Sequence, residues 1–139
     1  MKRTLSVIAL VSLALLLAGC PNQTKKKALE DRLRQYEQTI RWSEWEAAVN
    51  YLAPESQIEN PVTQLDIDRL RMFRVTNYTV RSTSPAPDGK SLQQTVEIRF
   101  FHKTQARERV IRDNQDWRQD EESKVWLLHS GLPDVTQGR

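Results

Sequence analysis

Cysteine, histidine and glycine are scarce in this sequence. Cys20 is the only cysteine among 139 residues, so no disulfide can form within one chain and an ordinary apolar core must stabilise the fold. The two histidines are accompanied by no cysteine pair and no His-Glu-x-x-His motif, and the four glycines form no phosphate-binding loop. The sequence therefore predicts no metal site and no cofactor.

An excess of charge of one sign is also absent from most of the chain. The formal net charge is +3, but Lys2 and Arg3 contribute two of these charges. The chain after residue 19 has 19 basic and 18 acidic side chains. Nucleic-acid binding requires clustered Lys and Arg that displace counterions from phosphates, and the sequence has no basic stripe of this kind. We therefore predict no nucleic-acid partner.

Only one long apolar run is present, from Leu5 to Ala18. Its length is typical of a secretory signal and is too short to span a bilayer comfortably. It follows the positively charged Lys2 and Arg3, as the apolar region of a signal peptide does. Since no later stretch reaches spanning length, we predict that the rest of the chain is a soluble domain outside the cytoplasm.

The apolar run ends in Leu17-Ala18-Gly19-Cys20, and with the basic start it resembles the signal of bacterial lipoproteins, which ends in a lipobox. The resemblance implies that the sulfur of Cys20 receives a diacylglycerol and that residues 1–19 are removed by cleavage between Gly19 and Cys20. Small residues at Ala18 and Gly19 would let the backbone enter a protease cleft. The alternative is an ordinary signal peptide or N-terminal anchor with an incidental cysteine.

The lipobox resemblance also implies a location. Two or three acyl chains such as palmitate hold a protein durably on a membrane, because each buried methylene contributes about 0.8 kcal/mol. An Asp after the lipidated cysteine usually signals inner-membrane retention in two-membrane bacteria, whereas this sequence has Pro21 there. We therefore predict a lipoprotein of the outer membrane that faces the periplasm. The inner membrane stays open, because proline itself can disturb sorting.

Without the signal, 120 residues remain, which suits one domain with a core of moderate size. Residues 20–27, the lipidated cysteine and a polar stretch, are predicted to form a tether. Residues 28–133 are predicted to form the folded domain, of the α+β class, and residues 134–139 a C-terminal tail.

A long helix is predicted from Ala28 to Leu52, a stretch without Gly or Pro that Pro54 ends. Apolar residues at helical spacing form one face: Leu29, Leu33, Tyr36, Ile40, Ala47 and Tyr51. A second apolar set lies on roughly the opposite face: Trp42, Trp45, Val49 and Leu52. Either the C-terminal half of the helix is buried on two sides, or the helix bends near Arg41 and changes the face that it buries.

Two surfaces of this helix are candidate contact sites. If the stripe with Trp42 and Trp45 is exposed, it could bind an envelope protein partner or line a pocket. The alternative is self-association near the anchor, through a different set at i, i+4, i+7, i+11 spacing: Leu29, Leu33, Tyr36 and Ile40.

After the long helix the sequence changes to strand patterns. Residues 57–71 predict a loop and a short helix that starts near Pro61. Four stretches with alternating or β-branched residues then predict strands: 73–83, 91–103, 107–119 and 124–130. Turn residues around Asp88-Gly89 and in the polar segment 120–123 separate them in pairs. We therefore expect an antiparallel sheet of at least four strands.

The order of these elements resembles the NTF2-like (cystatin-like) superfamily. The resemblance covers Ala28 to Pro133 and rests on element order and on Trp117 and Trp126 in the final strands. It implies a curved antiparallel sheet that wraps around the long helix, with a cone-shaped cavity between them. Some members use this cavity for catalysis or small-ligand binding, and many use it only as a packed core or a dimer surface.

Isomerases on this type of fold pair a carboxylate base with a Tyr donor or a protonated acid in an apolar pocket. Candidate bases here are Asp113, Asp116 and Glu97, and candidate donors are Tyr36, Tyr51 and Tyr78. Regular alternation puts Asp113 and Asp116 on opposite strand faces, which argues against a ligand pair. Glu97 lies on a polar face, where a solvated ion pair is expected. No catalytic set is selected by the sequence.

The two histidines are the remaining candidate site residues. His102 shares a strand face with Phe100, so it either points into the cavity or lies at the sheet margin, and His129 follows the apolar parity of the last strand. The candidate partner or pocket surface consists of Trp42, Trp45, Val49, Phe100 and His102. We predict a non-catalytic binding or envelope-assembly module, with a small-molecule carrier or isomerase-like enzyme as the alternative.

Overall fold

The computed structural model describes residues 21–137 of the chain. The predicted signal, residues 1–19, and the predicted lipidation site Cys20 lie outside the described residues. The chain divides into two compact units, Met1–Asp31 and Arg32–Arg139. The second unit contains the sheet and all the candidate site residues that follow the helix.

Helix α1 spans Pro21–Arg41 and begins in the first unit. Residues 23–28 are exposed, and Lys26 lies 3.9 Å from Glu30 one turn later. The predicted helix start at Ala28 is therefore too late: the stretch predicted as a tether is helical from Pro21 on, and its role as a tether stays a prediction.

Helix α1 ends at Arg41 in a Schellman motif, in which Ser43 adopts the left-handed conformation with φ of 59°. The backbone N–H of Ser43 donates to Ile40 O at 2.9 Å, and that of Glu44 donates to Thr39 O at 3.0 Å. Helix α2 follows at Trp45–Val49. The single helix predicted to run to Leu52 therefore ends at Arg41, and the alternative in which the chain bends near Arg41 and changes the face that it buries is confirmed.

Two further short helices precede the sheet, α3 at Pro54–Glu59 and α4 at Gln64–Leu70. Thr63 caps α4, since its hydroxyl accepts the N–H of Asp66 while the Asp66 carboxylate accepts the N–H of Thr63. The helix predicted to start near Pro61 therefore begins at Gln64, where the capping box sets its start, and α3 was not predicted.

The sheet contains strands β1 at Phe73–Pro85, β2 at Ser91–His102, β3 at Glu108–Gln119 and β4 at Trp126–Leu128. They lie in sequential order, and each neighbouring pair is antiparallel. The predicted α+β class with a four-stranded antiparallel sheet is confirmed. The last strand is shorter than predicted, and a 3₁₀ turn at Val135–Gln137 follows it.

The core of the second unit lies on one face of the sheet. Along β2, buried residues alternate with exposed or half-buried ones. The buried ones face the core: Leu92, Gln94, Val96, Ile98 and Phe100. Tyr36 and Ile40 of α1 and Trp45 of α2 are fully buried in this unit. Pro133 and Val135 are also buried. The folded unit therefore extends beyond residue 133, where the domain was predicted to end.

The helices are tied to the last strand by polar contacts. The backbone N–H of Leu128 donates to Tyr51 O, and that of Ala53 donates to Leu128 O, both at 2.8 Å. Arg32 donates from Nε to Trp126 O at 3.1 Å, and its guanidinium lies 4.0 Å from the centre of the Tyr51 ring. These contacts position the helical layer over the β3–β4 end of the sheet.

Candidate functional site

A buried group of polar side chains lies at the centre of the sheet, around Gln115. This side chain is 0% exposed. Its Nε2 donates to Asp113 Oδ2 at 2.8 Å and to the Tyr78 hydroxyl at 3.0 Å. Its Oε1 accepts from Trp117 Nε1 at 3.0 Å and from Gln94 Nε2 at 3.3 Å. We refer to these five residues as the Gln115 cluster.

Strand alternation explains why these residues meet. Odd-numbered residues of β3 face the core, which places Asp113, Gln115 and Trp117 on one face. Gln94 of β2 is the direct neighbour of Gln115 in the register, and Tyr78 reaches across from β1. Three adjacent strands thus build the cluster, and the mutual hydrogen bonds offset the cost of burying its polar atoms.

Burial changes the acidity of the groups in and beside the cluster. Desolvation raises the pKa of Asp113 to about 6, although the hydrogen bond from Gln115 opposes this shift. Desolvation also raises the pKa of Tyr78 and of Tyr36, so both phenols remain protonated at neutral pH. Asp113 is therefore the group of this region that changes its charge near neutral pH.

Tyr36 of α1 lies beside the cluster. Its ring packs edge-on against Trp117, with the centroids 5.1 Å apart, and against Tyr51 at 5.2 Å. Its buried hydroxyl has no hydrogen-bond partner within residues 21–137. An unpaired buried hydroxyl typically lowers the free energy of unfolding by about 1–3 kcal/mol, so the packing around Tyr36 is not the most stable one that this site could have.

Two surface grooves flank the C-terminal segment. One, of about 370 Å³, is lined by β3 residues 110–113 on one side and by Ser130, Leu132 and Asp134 on the other. The second, of about 400 Å³, lies between the α3–α4 region and residues 129–136. Asp113 lines the first groove, so this carboxyl belongs both to the Gln115 cluster and to the groove wall.

The other candidate bases have different surroundings. Glu97 Oε2 lies 2.9 Å from Arg81 Nη2, and the hydrogen bond from Arg81 lowers the pKa of Glu97. The ion-pair interpretation of Glu97 is thus confirmed. Asp116 is on the outer face, where it pairs with Arg118 and accepts from Gln93. The prediction that Asp113 and Asp116 point to opposite faces is confirmed as well.

The predicted partner surface is not assembled as one patch. Trp42 is 71% exposed, but Trp45 and Phe100 are 0% exposed and cannot contact a partner in the folded chain. Val49 and His102 are half-buried. The Schellman motif separates the two tryptophans, because the chain changes direction between Trp42 and Trp45 and turns the second one into the core.

The predicted helical self-association stripe is not exposed as a whole either. Tyr36 and Ile40 are fully buried within the second unit, so they are not available to a second copy. The rhythm of this stripe reflects core packing, which uses the same spacing as a helix–helix contact.

The histidines lie apart. His102 is the last residue of β2, where its Nδ1 lies 2.7 Å from Thr104 Oγ1 and its ring packs edge-on against Phe73. It therefore occupies the sheet margin. His129 follows β4 and lines the larger groove. In the part of the chain that the structure describes, no three His, Cys, Asp or Glu residues are grouped to hold a metal ion.

Gln94 and Gln115 were missed as site residues by sequence reasoning. A signal was present for Gln94, which interrupts the apolar alternation of β2 at a core-facing position, whereas Gln115 shares its face of β3 with Asp113 and gives no such signal. Within residues 21–137, no helix is long and apolar enough to cross a membrane.

No family model, curated protein or solved structure matches this chain.

Proposed function

We propose that the chain is a lipid-anchored envelope protein whose α+β domain acts as a non-catalytic binding or assembly module beside a membrane. The observation that carries this proposal is the sequence Leu17-Ala18-Gly19-Cys20 after a basic start and an apolar run. Because Cys20 is the only cysteine, it is the only thiol that a diacylglycerol could modify. With Pro21 in the next position, the proposed location is the periplasmic side of the outer membrane.

The surroundings of the titratable groups support a binding module over an enzyme. A general base needs free access to a substrate proton, with a donor placed across from it. Glu97 and Asp116 are held in ion pairs, and His102 is engaged by Thr104 at the sheet margin. Only Asp113 among the predicted bases faces the interior, and its polar contact is the amide of Gln115.

The proposed fold family is NTF2-like. Two features support it. The helices precede the sheet in the sequence, and the sheet has four sequential antiparallel strands whose apolar face lies under the helical layer. In that superfamily the space between helix and sheet is the usual cavity. The residues of the Gln115 cluster face the corresponding side of this sheet.

A second candidate function is a small-molecule carrier or isomerase-like enzyme. The observation that favours it is Asp113, a carboxyl with a pKa of about 6 that lines the groove of about 370 Å³. The side chain of Gln115 connects this carboxyl to the Tyr78 hydroxyl by hydrogen bonds. Such a carboxyl could exchange a proton near neutral pH. The retention of a small molecule by the native protein distinguishes this candidate from the first.

The anchor is tested with Cys20→Ala in the full chain, produced in a bacterium that processes lipoproteins. We expect the wild-type chain to incorporate a palmitate analogue, to lose residues 1–19 and to fractionate with membranes. Cys20→Ala should incorporate none, because no other thiol is present. The measurements are in-gel detection of the analogue and the mass of the N-terminal peptide.

A matched control keeps the thiol and changes only the following residue. Pro21→Asp should still be acylated but should shift from the outer to the inner membrane fraction. Equal labelling of Cys20→Ala and the wild type would overturn the lipid anchor. An unlabelled wild-type chain with a different cleavage site would instead identify an ordinary signal peptide.

A further inference from the structure

The outer edge of β3 is open along most of its length. β4 pairs only with residues 117–119 of this 12-residue strand. After β4, His129 N–H donates to Asp116 O at 2.8 Å, and the chain then turns away along the groove wall. Residues 108–115 therefore have no strand beside them on this side among residues 21–137.

The direction of the backbone groups on β3 follows from its contacts. Gln119 N–H donates to Lys90 O on the β2 side, whereas Asp120 N–H donates to Val125 O on the other side. The β2–β3 register has no shift, so direction alternates regularly, and even-numbered residues point their N–H and C=O away from β2. The open edge thus presents the backbone of Val110, Arg112 and Asn114, and within the described residues these groups have no partner.

The opposite sheet edge is protected in a way that β3 is not. β1 has two register shifts, and the Ser43 hydroxyl accepts the N–H of Val75 at 3.0 Å. Bulges and capping of this kind prevent pairing with another chain. β3 has a regular register, no proline, and an exposed Val110 on its outer face. Its edge is suited to accept another strand.

We propose that the β3 edge pairs with the β3 edge of a second copy of this chain, antiparallel and centred on Ile111. In this register Val110 and Arg112 of one copy exchange backbone hydrogen bonds with Arg112 and Val110 of the other. Arg109 of each copy then lies directly opposite Asp113 of the other. The groove of about 370 Å³ runs along the same residues 110–113, with Ser130, Leu132 and Asp134 on its other side.

Charge favours this register over its neighbours. Pairing centred on Val110 would set Glu108 opposite Arg112, but Glu108 already accepts from Thr76 and pairs with Arg99, and Arg109 would be left opposite Ile111. Pairing centred on Arg112 would oppose two guanidinium groups, and pairing centred on Asp113 would oppose two carboxyls, both of which are unfavourable for directly opposite residues. Pairing centred on Ile111 makes two Arg–Asp contacts instead. Neither Arg109 nor Asp113 has an ion-pair partner within residues 21–137: Arg109 donates only to Gln105, and Asp113 accepts from Gln115. The second copy supplies each with its missing counter-charge.

The test is a charge exchange between two differently tagged full-length chains, produced together and captured through one tag after detergent extraction. Arg109→Asp paired with itself places carboxyls opposite each other twice, and Asp113→Arg paired with itself places guanidinium groups opposite each other twice. We expect each self-pair to co-purify at least about tenfold less than the wild-type pair. Arg109→Asp mixed with Asp113→Arg restores both Arg–Asp contacts and should restore co-purification.

The mixed pair also distinguishes a loss of association from a loss of folding. If either variant failed to fold, combining the two would not restore co-purification. Arg74→Asp on β1 is the matched control, since it reverses an exposed charge at the opposite edge of the sheet and should leave co-purification unchanged. Three results would overturn the proposal. They are no co-purification of wild-type chains, self-pairing of Arg109→Asp at the wild-type level, or the absence of recovery in the mixed pair.

Discussion

Asp113 lies in surroundings unlike those of an exposed carboxyl. It faces the core side of β3, and desolvation raises its pKa from the usual 3.8 to about 6. The folded state therefore binds a proton more tightly than the unfolded state does. The stabilisation that this protonation provides is fully present below about pH 4 and is lost as the pH rises through 6.

Asp113→Asn should remove this pH dependence while it keeps an oxygen that accepts from Gln115. A pKa raised from 3.8 to about 6 corresponds to about 3 kcal/mol of stability that wild type loses as the pH rises. The free energy of unfolding of the variant, relative to that of wild type, should therefore increase by about 1–3 kcal/mol between pH 4 and pH 7. Urea unfolding across this range measures the gain, at concentrations at which the chain is monomeric. Glu122→Gln, in the exposed β3–β4 turn, is the control. A gain that does not grow with pH would contradict the buried-acid assignment.

At the scale of elements, strands were more predictable than helix ends. β2 was predicted as 91–103 and spans Ser91–His102, because its strict alternation of apolar and polar residues has one physical solution, a half-buried strand. The end of α1 was not predictable in the same way. It depends on Ser43 adopting positive φ, where glycine is the usual residue, so composition gives no warning. The only signal was the switch of apolar face at Trp42.

The site was predictable only as far as local alternation reaches. The opposite directions of Asp113 and Asp116 follow from their odd and even positions on one strand. The contact of Gln115 with Tyr78 joins residues 37 positions apart, and it depends on the register of three strands. Spacing along the sequence does not encode such a register, which the turns and core packing determine together.

The helix break leads to contrasting expectations for two tryptophans. Trp45→Ala removes a side chain that is 0% exposed and should lower the free energy of unfolding by about 3–5 kcal/mol. Trp42→Ala, at a side chain that is 71% exposed, should change it by no more than about 0.5 kcal/mol. Urea denaturation of both variants measures the difference. Similar small losses would mean that Trp45 is not in the core.

At the scale of the molecule, the second unit has a packed interior, and the two grooves described above lie at its surface. The interior polar atoms of the Gln115 cluster bond mainly to one another, and the ring of Tyr36 packs against Trp117 beside them. A ligand would have to displace these contacts or bind in the grooves around residues 129–136. This arrangement favours protein contacts over capture of a small molecule.

Under the proposed lipid anchor, the processed protein is extracted from the membrane without denaturation, and native mass spectrometry then tests this arrangement of the second unit. We expect the mass of the acylated chain, and of its dimer at higher concentration, without a small-molecule adduct, because the Gln115 cluster already satisfies its own hydrogen-bonding groups. An adduct that Asp113→Asn abolishes would instead place a ligand in the groove beside β3 and favour the carrier or enzyme. An adduct that survives this substitution would also contradict the expectation, and it would direct the search to the larger groove near His129.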